Sequence, residues 1–504
     1  MRAAVISVSM CPAWLCVLFA FIQQASAQQG LNNLWLGGYA SFAGPPYGGV
    51  DLEFSSGSVI VTSASRDIWF FRTNANITDV DGSLLFSTNG AHLANAIGDT
   101  LQNGTGLNPS SYTSIFPEGL YLSQASIILP KPDSPGIYYL FHGTLDNISG
   151  PNALYLYLTT IDMSLDGGLG GVVTKNQVLV NDALNTGRIT AVRHANGRDW
   201  WVFCHKVSTN VFYRVLVTPN GAVLDGTQSI GIIRPPDNGQ ACFSPDGSKF
   251  AYYWGQFNQD LEIFNFDRCT GLFSDPVQVL ISDANTMGGV AFSPNSRYLY
   301  VSSLEDVYQY DTQASDIAAS MVHIAEWDGF YSPEPPLATL FDIAQLAPDG
   351  KIYIGTGNGT FHLHVIHNPD EPGPACNMEQ HGIELPHYFV NSLPNHPNYH
   401  LGPIDGSICD SLGITVHVSE ASLQDRVRVQ PNPSNGAFGI NYPAHAQSGL
   451  LEVLDATGRV AYQHRLSAWS TVHQVDLTGQ PAGMYHCRLS WGTRSTSVRV
   501  ILQP

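Results

Sequence analysis

The sequence predicts an all-β protein: a β-propeller of about seven blades followed by a small C-terminal β-sandwich. Three observations carry this. Only 12% of the 504 residues are charged, while 48 are Gly, 31 Pro and 22 Tyr. That is a turn-rich composition, unlike a helical bundle or a disordered chain. A Pro/Asp/Asn-Gly turn followed by an aromatic-rich alternating run recurs about every fifty residues. Residues 427–504 then carry a separate set of short alternating strands.

The first 27 residues read as a secretory signal. Arg2 supplies a short positive region, Ala13 to Ile22 an apolar core, and Ala25-Ser26-Ala27 a small-x-small cleavage site. Cleavage after Ala27 gives a mature start at Gln28. No later stretch reaches about 18 uninterrupted apolar residues, so no transmembrane segment is expected. Removing Arg2 takes the formal net charge from −19 to −20. With no Lys/Arg cluster, nucleic-acid binding is not expected. The acidic balance by itself identifies no cationic partner.

Residues 28–410 carry the repeat. Its clearest copies are Phe243-Ser244-Pro245-Asp246-Gly247, Phe292-Ser293-Pro294-Asn295-Ser296 and Leu346-Ala347-Pro348-Asp349-Gly350, each running into an aromatic strand; Arg193 to Phe203 is a weaker one. The turn positions 197, 247, 296 and 350 lie 50, 49 and 54 residues apart. Gly after an Asx residue tolerates positive φ, and the Asx side chain caps the turn. A period of 40–50 residues with about four short strands is the signature of a propeller blade. Looser copies sit at Asp79 to Phe86 and Pro132 to Phe141. Division by the period gives seven blades, with six or eight as alternatives and a run of β-sandwiches as the competing fold.

This region also resembles a family of secreted Bacteroidota proteins with an N-terminal propeller and a C-terminal sorting domain. The matching phrases are Asp81-Gly82-Ser83-Leu84-Leu85-Phe86, Leu101-Gln102-Asn103-Gly104-Thr105-Gly106-Leu107, Phe266-Asp267-Arg268-Cys269-Thr270-Gly271, Ala375-Cys376-Asn377 and Leu393-Pro394-Asn395-His396-Pro397-Asn398-Tyr399. The resemblance implies fold and export route and no defined reaction.

A linker is expected over 411–426, and the terminal module over 427–504. Val429 to Ile440 reads as strand, Pro/Asn turn, strand; Leu450 to Val460 is a hairpin around Ala456-Thr457-Gly458. Gly483 to Leu489 and Ser495 to Leu502 complete about seven strands. The ordered set Pro431-Asn432-Pro433-Ser434-Asn435-Gly436, Asp455-Ala456-Thr457-Gly458-Arg459, Pro481-Ala482-Gly483-Met484-Tyr485 and a terminal apolar strand resembles the type IX secretion C-terminal sorting domain of the Bacteroidota. The resemblance implies two partners, an outer-membrane translocon and a sortase that removes the domain and attaches the protein to surface lipopolysaccharide. The protein is then secreted or attached to the outer surface after periplasmic transit. Arg499 stands where Lys is common in such domains, which bears on attachment rather than export.

Six of the eight cysteines lie beyond residue 27, at 204, 242, 269, 376, 409 and 487. An even number in an oxidising compartment suggests disulfides. Cys242–Cys269 and Cys376–Cys409 are the preferred pairs because each closes a loop within one repeat-sized segment; buried free thiols are the alternative. No CxxC spacing points to zinc or redox chemistry.

Chemistry-bearing constellations are sparse. His362 and His364 share one face of a strand and are the metal-ligand candidates, yet a metal needs three or four converging ligands, and a hydrogen-bonding, His-rich last blade is preferred. Asp79-Val80-Asp81-Gly82 lacks the later ligands of a calcium loop and reads as a hairpin turn. Gly167 to Gly171 has no following helix or Lys-Ser/Thr to cradle a phosphate. No Gly-x-Ser-x-Gly elbow occurs. No catalytic residue and no cofactor are expected. The dense aromatics Trp200-Trp201, Tyr252-Tyr253-Trp254 and Trp327 to Tyr331 serve inter-blade packing, with those near loops available to stack on sugars or peptides. The functional expectation is a non-catalytic propeller binding a glycan or protein. The alternatives are an extracellular hydrolase or lyase acting on polysaccharide or lactone through the channel, and a structural cell-envelope protein.

Overall fold

The computed structural model describes residues 30–40, 43–146, 153–236, 239–255, 260–283, 287–333, 336–410 and 427–503. The expected signal segment with its Ala27/Gln28 cleavage site, and the expected linker over 411–426, lie outside them. Among the described residues the one α-helix is Ser111–Ile115, and no helix is long and apolar enough to cross a membrane.

Seven antiparallel sheets form the blades, at residues 34–64, 75–105, 126–184, 190–234, 241–280, 289–326 and 341–390. The first has three strands and the others four; blades two and three join through their outer strands at the Gln102–Gly171 bridge. The recurring turns link the innermost strand of a blade to the next one out, as between Ala241–Phe243 and Lys249–Trp254. Gly197, Gly247 and Gly350 adopt φ of +70°, +71° and +79°, which explains their recurrence. In blades five and six a serine locks the turn: Ser244 and Ser293 Oγ donate to Asp246 and Asn295, and accept from Lys249 and Tyr298 N–H at 2.9 Å. The Asp79-Asp81-Gly82 segment is such a turn, its Asp79 carboxylate accepting from Asp81 and Ser83 N–H.

Apolar cores sit between neighbouring blades and run round the ring. Phe203, Phe212, Phe250, Phe264 and Phe273 pack blade four on five. Trp35, Val50, Leu52 and Phe54 of blade one pack on Tyr353, Leu363, Val365 and Phe389 of blade seven, closing the circle. Trp200, Trp201, Tyr252 and Tyr253 are all at most 4% exposed, so these sequence-dense aromatics are packing residues.

Blade one lacks an inner strand of its own. The buried extended segment after Val390 takes that place: Asn74 Nδ2 donates to both Leu36 and Ser392 carbonyls, and Asn395 N–H to Asn74 O at 3.1 Å. The chain then crosses the base of the propeller as a strap. Tyr399 donates to Ile128 O at 2.8 Å, Asn398 to Pro245 O at 2.7 Å, and Arg268 to Gly402 O at 2.5 Å.

The strap corrects the disulfide expectation. Cys269 pairs with Cys409, 140 residues away, with Cα atoms 5.7 Å apart. Cys242 and Cys376 are free thiols. Cys242 is on an innermost strand, whereas Cys269 lies in a turn at the base, where the strap delivers Cys409. Repeat-local pairing failed because the crossing is not written in the repeat.

Residues 428–502 form two sheets of three and four strands around Phe438, Ile440, Leu451, Val453, Cys487, Leu489 and Val500. This C-terminal domain docks on the base of the propeller. Thr471 N–H donates to Pro348 O at 3.0 Å, Ser58 bonds Gln474, and Arg428 lies 3.5 Å from Asp81.

Two outcomes follow from this arrangement. Cys409→Ser frees the end of the strap and is expected to lower stability by about 2–4 kcal/mol, read by denaturant unfolding. His142 is buried between Asn108 and Thr159, each at 2.8 Å, and burial pushes its imidazole from 6.5 down to about 3. A depressed base is neutral in the fold, so its contribution is complete above about pH 6.5 and lost as pH falls toward 3. His142→Gln is expected to flatten stability against pH in that window by up to about 1.4 kcal/mol per pH unit, measured by unfolding at pH 6, 5 and 4.

Candidate functional site

The innermost strands are braced across the channel by amides. Gln124, leading into blade three, donates to Ala241 O and accepts from Ala241 N–H in blade five, both at 2.9 Å. Gln240 donates to Ala344 O at 2.7 Å and accepts from Val290 and Ala344 N–H at 3.0 and 2.9 Å. Asn395 of the strap adds bonds to Ser126 O, Ile189 O and Gln124. These groups divide the channel into a mouth, where the chain feeds into the innermost strands, and a base at the repeated turns.

At the mouth, Arg72 of blade two reaches blades six and seven. Its Nη2 lies 3.4 Å from Met287 Sδ and 3.5 Å from the Asp342 carboxylate, and its guanidinium stands 4.8 Å over the Tyr121 ring. Burial raises the Asp342 carboxyl above its ordinary value, while Arg72 and the bonded Asn391 amide pull it back. Opposite, Arg188 donates to Tyr252 OH at 2.8 Å, and Asn185 to the same hydroxyl at 3.0 Å. Arg234 forms a buried ion pair with Glu262 and covers the same ring at 4.5 Å. Burial and these two arginines hold His205 neutral, at about 2.

Beside Arg72 an aromatic rim spreads over blades one, two and seven. Tyr39 contacts Trp69 and Phe71, each at 4.7 Å between centroids, and Tyr47 at 6.0 Å. Tyr47 reaches Tyr388 at 5.5 Å, Tyr388 stacks on Phe361 at 4.6 Å, and Phe71 meets Tyr121 at 5.6 Å. The rim is fixed by its loops: Phe70 N–H donates to Gly38 O, Thr73 N–H to Leu120 O, and Asn89 Nδ2 to Glu118 O. Tyr47 and Tyr121 remain 37% and 43% exposed. Linked rings with open faces can bury the C–H face of a flat ligand while tyrosine hydroxyls hydrogen-bond its edge.

The sequence did not single out these residues, because the rim gathers rings from positions 39, 47, 69, 71, 121, 361 and 388. The only available signal was that each lies near a strand end. Of the sequence-dense groups, Trp327, Phe330 and Tyr331 do lie near the surface, with Phe330 stacked on His381 at 4.1 Å. His362 meets Ser332 at 3.2 Å, and His364 accepts from His381 N–H at 2.9 Å and packs on Phe341. Among the described residues no group of three His, Cys, Asp or Glu converges on a metal position.

Residues 428–503 match the family described as the secretion system C-terminal sorting domain. The chain thus bears a type IX export tail, which implies contact with that machinery and makes it a secreted or outer-surface-attached protein. No curated protein matches the sequence. Among solved structures it is similar to a candidate 6-phosphogluconolactonase from Bacteroides uniformis, at 14% identity and a TM-score of 0.43 over 72% of this chain and 98% of that one. A second candidate 6-phosphogluconolactonase, from Bacteroides fragilis, gives 12% and 0.39 over 73% and 98%. A periplasmic gluconolactonase from Pseudomonas aeruginosa gives 12% and 0.34 over 89% and 100%.

The amide braces make a stability prediction. Gln240→Leu removes three hydrogen bonds and leaves buried backbone groups unpaired, at about 1 kcal/mol or more each. Denaturant unfolding is expected to show a loss of about 2–4 kcal/mol, with the rim aromatics unaffected.

Proposed function

We propose that this secreted propeller binds carbohydrate through the aromatic rim at the channel mouth. The observation that carries the reading is the connected set Tyr39, Tyr47, Trp69, Phe71 and Tyr121, of which Tyr47 and Tyr121 are exposed and the rest half-buried, ending at Arg72. Sugars present an apolar C–H face that buries against an aromatic ring, and tyrosine hydroxyls at the rim can bond their edges. The amide-braced channel below offers a rigid platform, which lowers the ordering cost of binding. An export tail suits a protein whose ligand lies outside the cell.

The hydrolase or lyase reading rests on one observation, the Asp342 carboxyl raised by burial beside Arg72. Both readings meet in one experiment on a polysaccharide panel. Tyr47→Ala and Tyr121→Ala are each expected to weaken binding about 5- to 30-fold, some 1–2 kcal/mol, in affinity electrophoresis or on a glycan array. Unchanged binding by the double variant rejects the rim. Turnover of any polysaccharide or lactone that Asp342→Asn abolishes replaces binding with catalysis.

A further inference from the structure

Below the amide braces lies a cavity of about 100 Å³, lined by Thr190, Val192, Cys242, Phe292 and His396 and partly covered by Trp469 and Thr471 of the sorting domain. That is room for several waters or part of a small organic molecule. Its lining contains no Asp, Glu, Lys or Arg. Three of its side chains are at least nine-tenths buried and carry polar atoms with no hydrogen-bond partner: Thr190 Oγ1, Thr471 Oγ1 and both ring nitrogens of His396. Burial pushes the His396 imidazole down to about 3, so it is neutral, with one donor and one acceptor. Leaving such groups unmatched costs about 1–3 kcal/mol each, so a polar molecule that pairs with them is favoured.

The cap is built into the docking of the two domains. Trp469 packs onto the blade four–five cluster that includes Val192, Phe250 and Leu401. Gly57 at φ +93° fits against the sorting domain so closely that a Cβ there would lie 2.2 Å from the His473 carbonyl carbon. Gly439 is equally tight, its Cβ position 2.4 Å from Ser56 O.

We propose that the base of the channel is a second ligand site, for a neutral hydroxyl-bearing molecule, and that the sorting domain partly covers its entrance through Trp469. The neutral lining disfavours a charged ligand, whose desolvation nothing there would offset. Thr190 and His396 supply donors and acceptors, and the apolar wall of Val192 and Phe292 takes a C–H face. Displacing Trp469 removes the lid. The site is independent of the rim, since none of the rim rings lines it.

The test is diethyl pyrocarbonate labelling of the full chain, read residue by residue by mass spectrometry. His396 is expected to be protected in the native chain and to become at least tenfold more reactive in Trp469→Ala, with His142 still protected. D-glucose is expected to shield His396 in that variant, and glucuronate is not. Equal His396 reactivity in both chains overturns the lid, and no shielding by glucose, or equal shielding by glucuronate, overturns the neutral site. If His142 labelling shows that Trp469→Ala has unfolded, Gly57→Gln, which wedges the domains apart elsewhere, is read in the same way.

Discussion

The ring depends on one segment, the strap from Asn391 to Cys409, which is largely buried as far as Leu401. Six blades close their own innermost strand with a local turn, but blade one begins with Leu34–Tyr39 and must be completed from the other end of the domain. The strap supplies that inner position, and its backbone and side chains bond to Asn74 at the entry to blade two and to blades three, four and five. A buried irregular segment is tolerable only when its polar groups are paired, and here carbonyls and amides of the innermost strands do the pairing. The Cys269–Cys409 disulfide then anchors its far end.

That closure sets the character of the channel. Asn395 meets Gln124, and the two glutamines tie non-adjacent blades, so the centre is a hydrogen-bonded floor rather than a pore. Chemistry is thereby displaced to the two ends. At the mouth, the junction of blades one, two and seven leaves aromatic rings partly open beside Arg72. At the base, the strap and the sorting domain line a neutral cavity around His396. The buried, depressed histidines at 142, 205, 364 and 396 share their largest cause, removal of imidazole from water.

The sorting domain is more than an appended address in this arrangement. Its contacts with the Ser56–Ser58 and Pro348–Gly350 turns bring it onto the same face as the strap. The domain that directs secretion thus also covers part of the base.

The sequence by itself determined the all-β class, the spacing of the inner hairpins and the tail. Each rests on local physics: Gly at positive φ in a two-strand turn, alternation along a strand, and an ordered set of short motifs. Gly197, Gly247 and Gly350 were legible because a turn is decided within a few residues. Tertiary structure alone decided the disulfide, the inner strand of blade one, the amide floor and the rim. Cys269 meets Cys409 only after the strap crosses the base, and Tyr39 meets Trp69 and Tyr121 only after the ring closes. Contacts made across blades leave no period in the chain, so no reading of spacing could have found them.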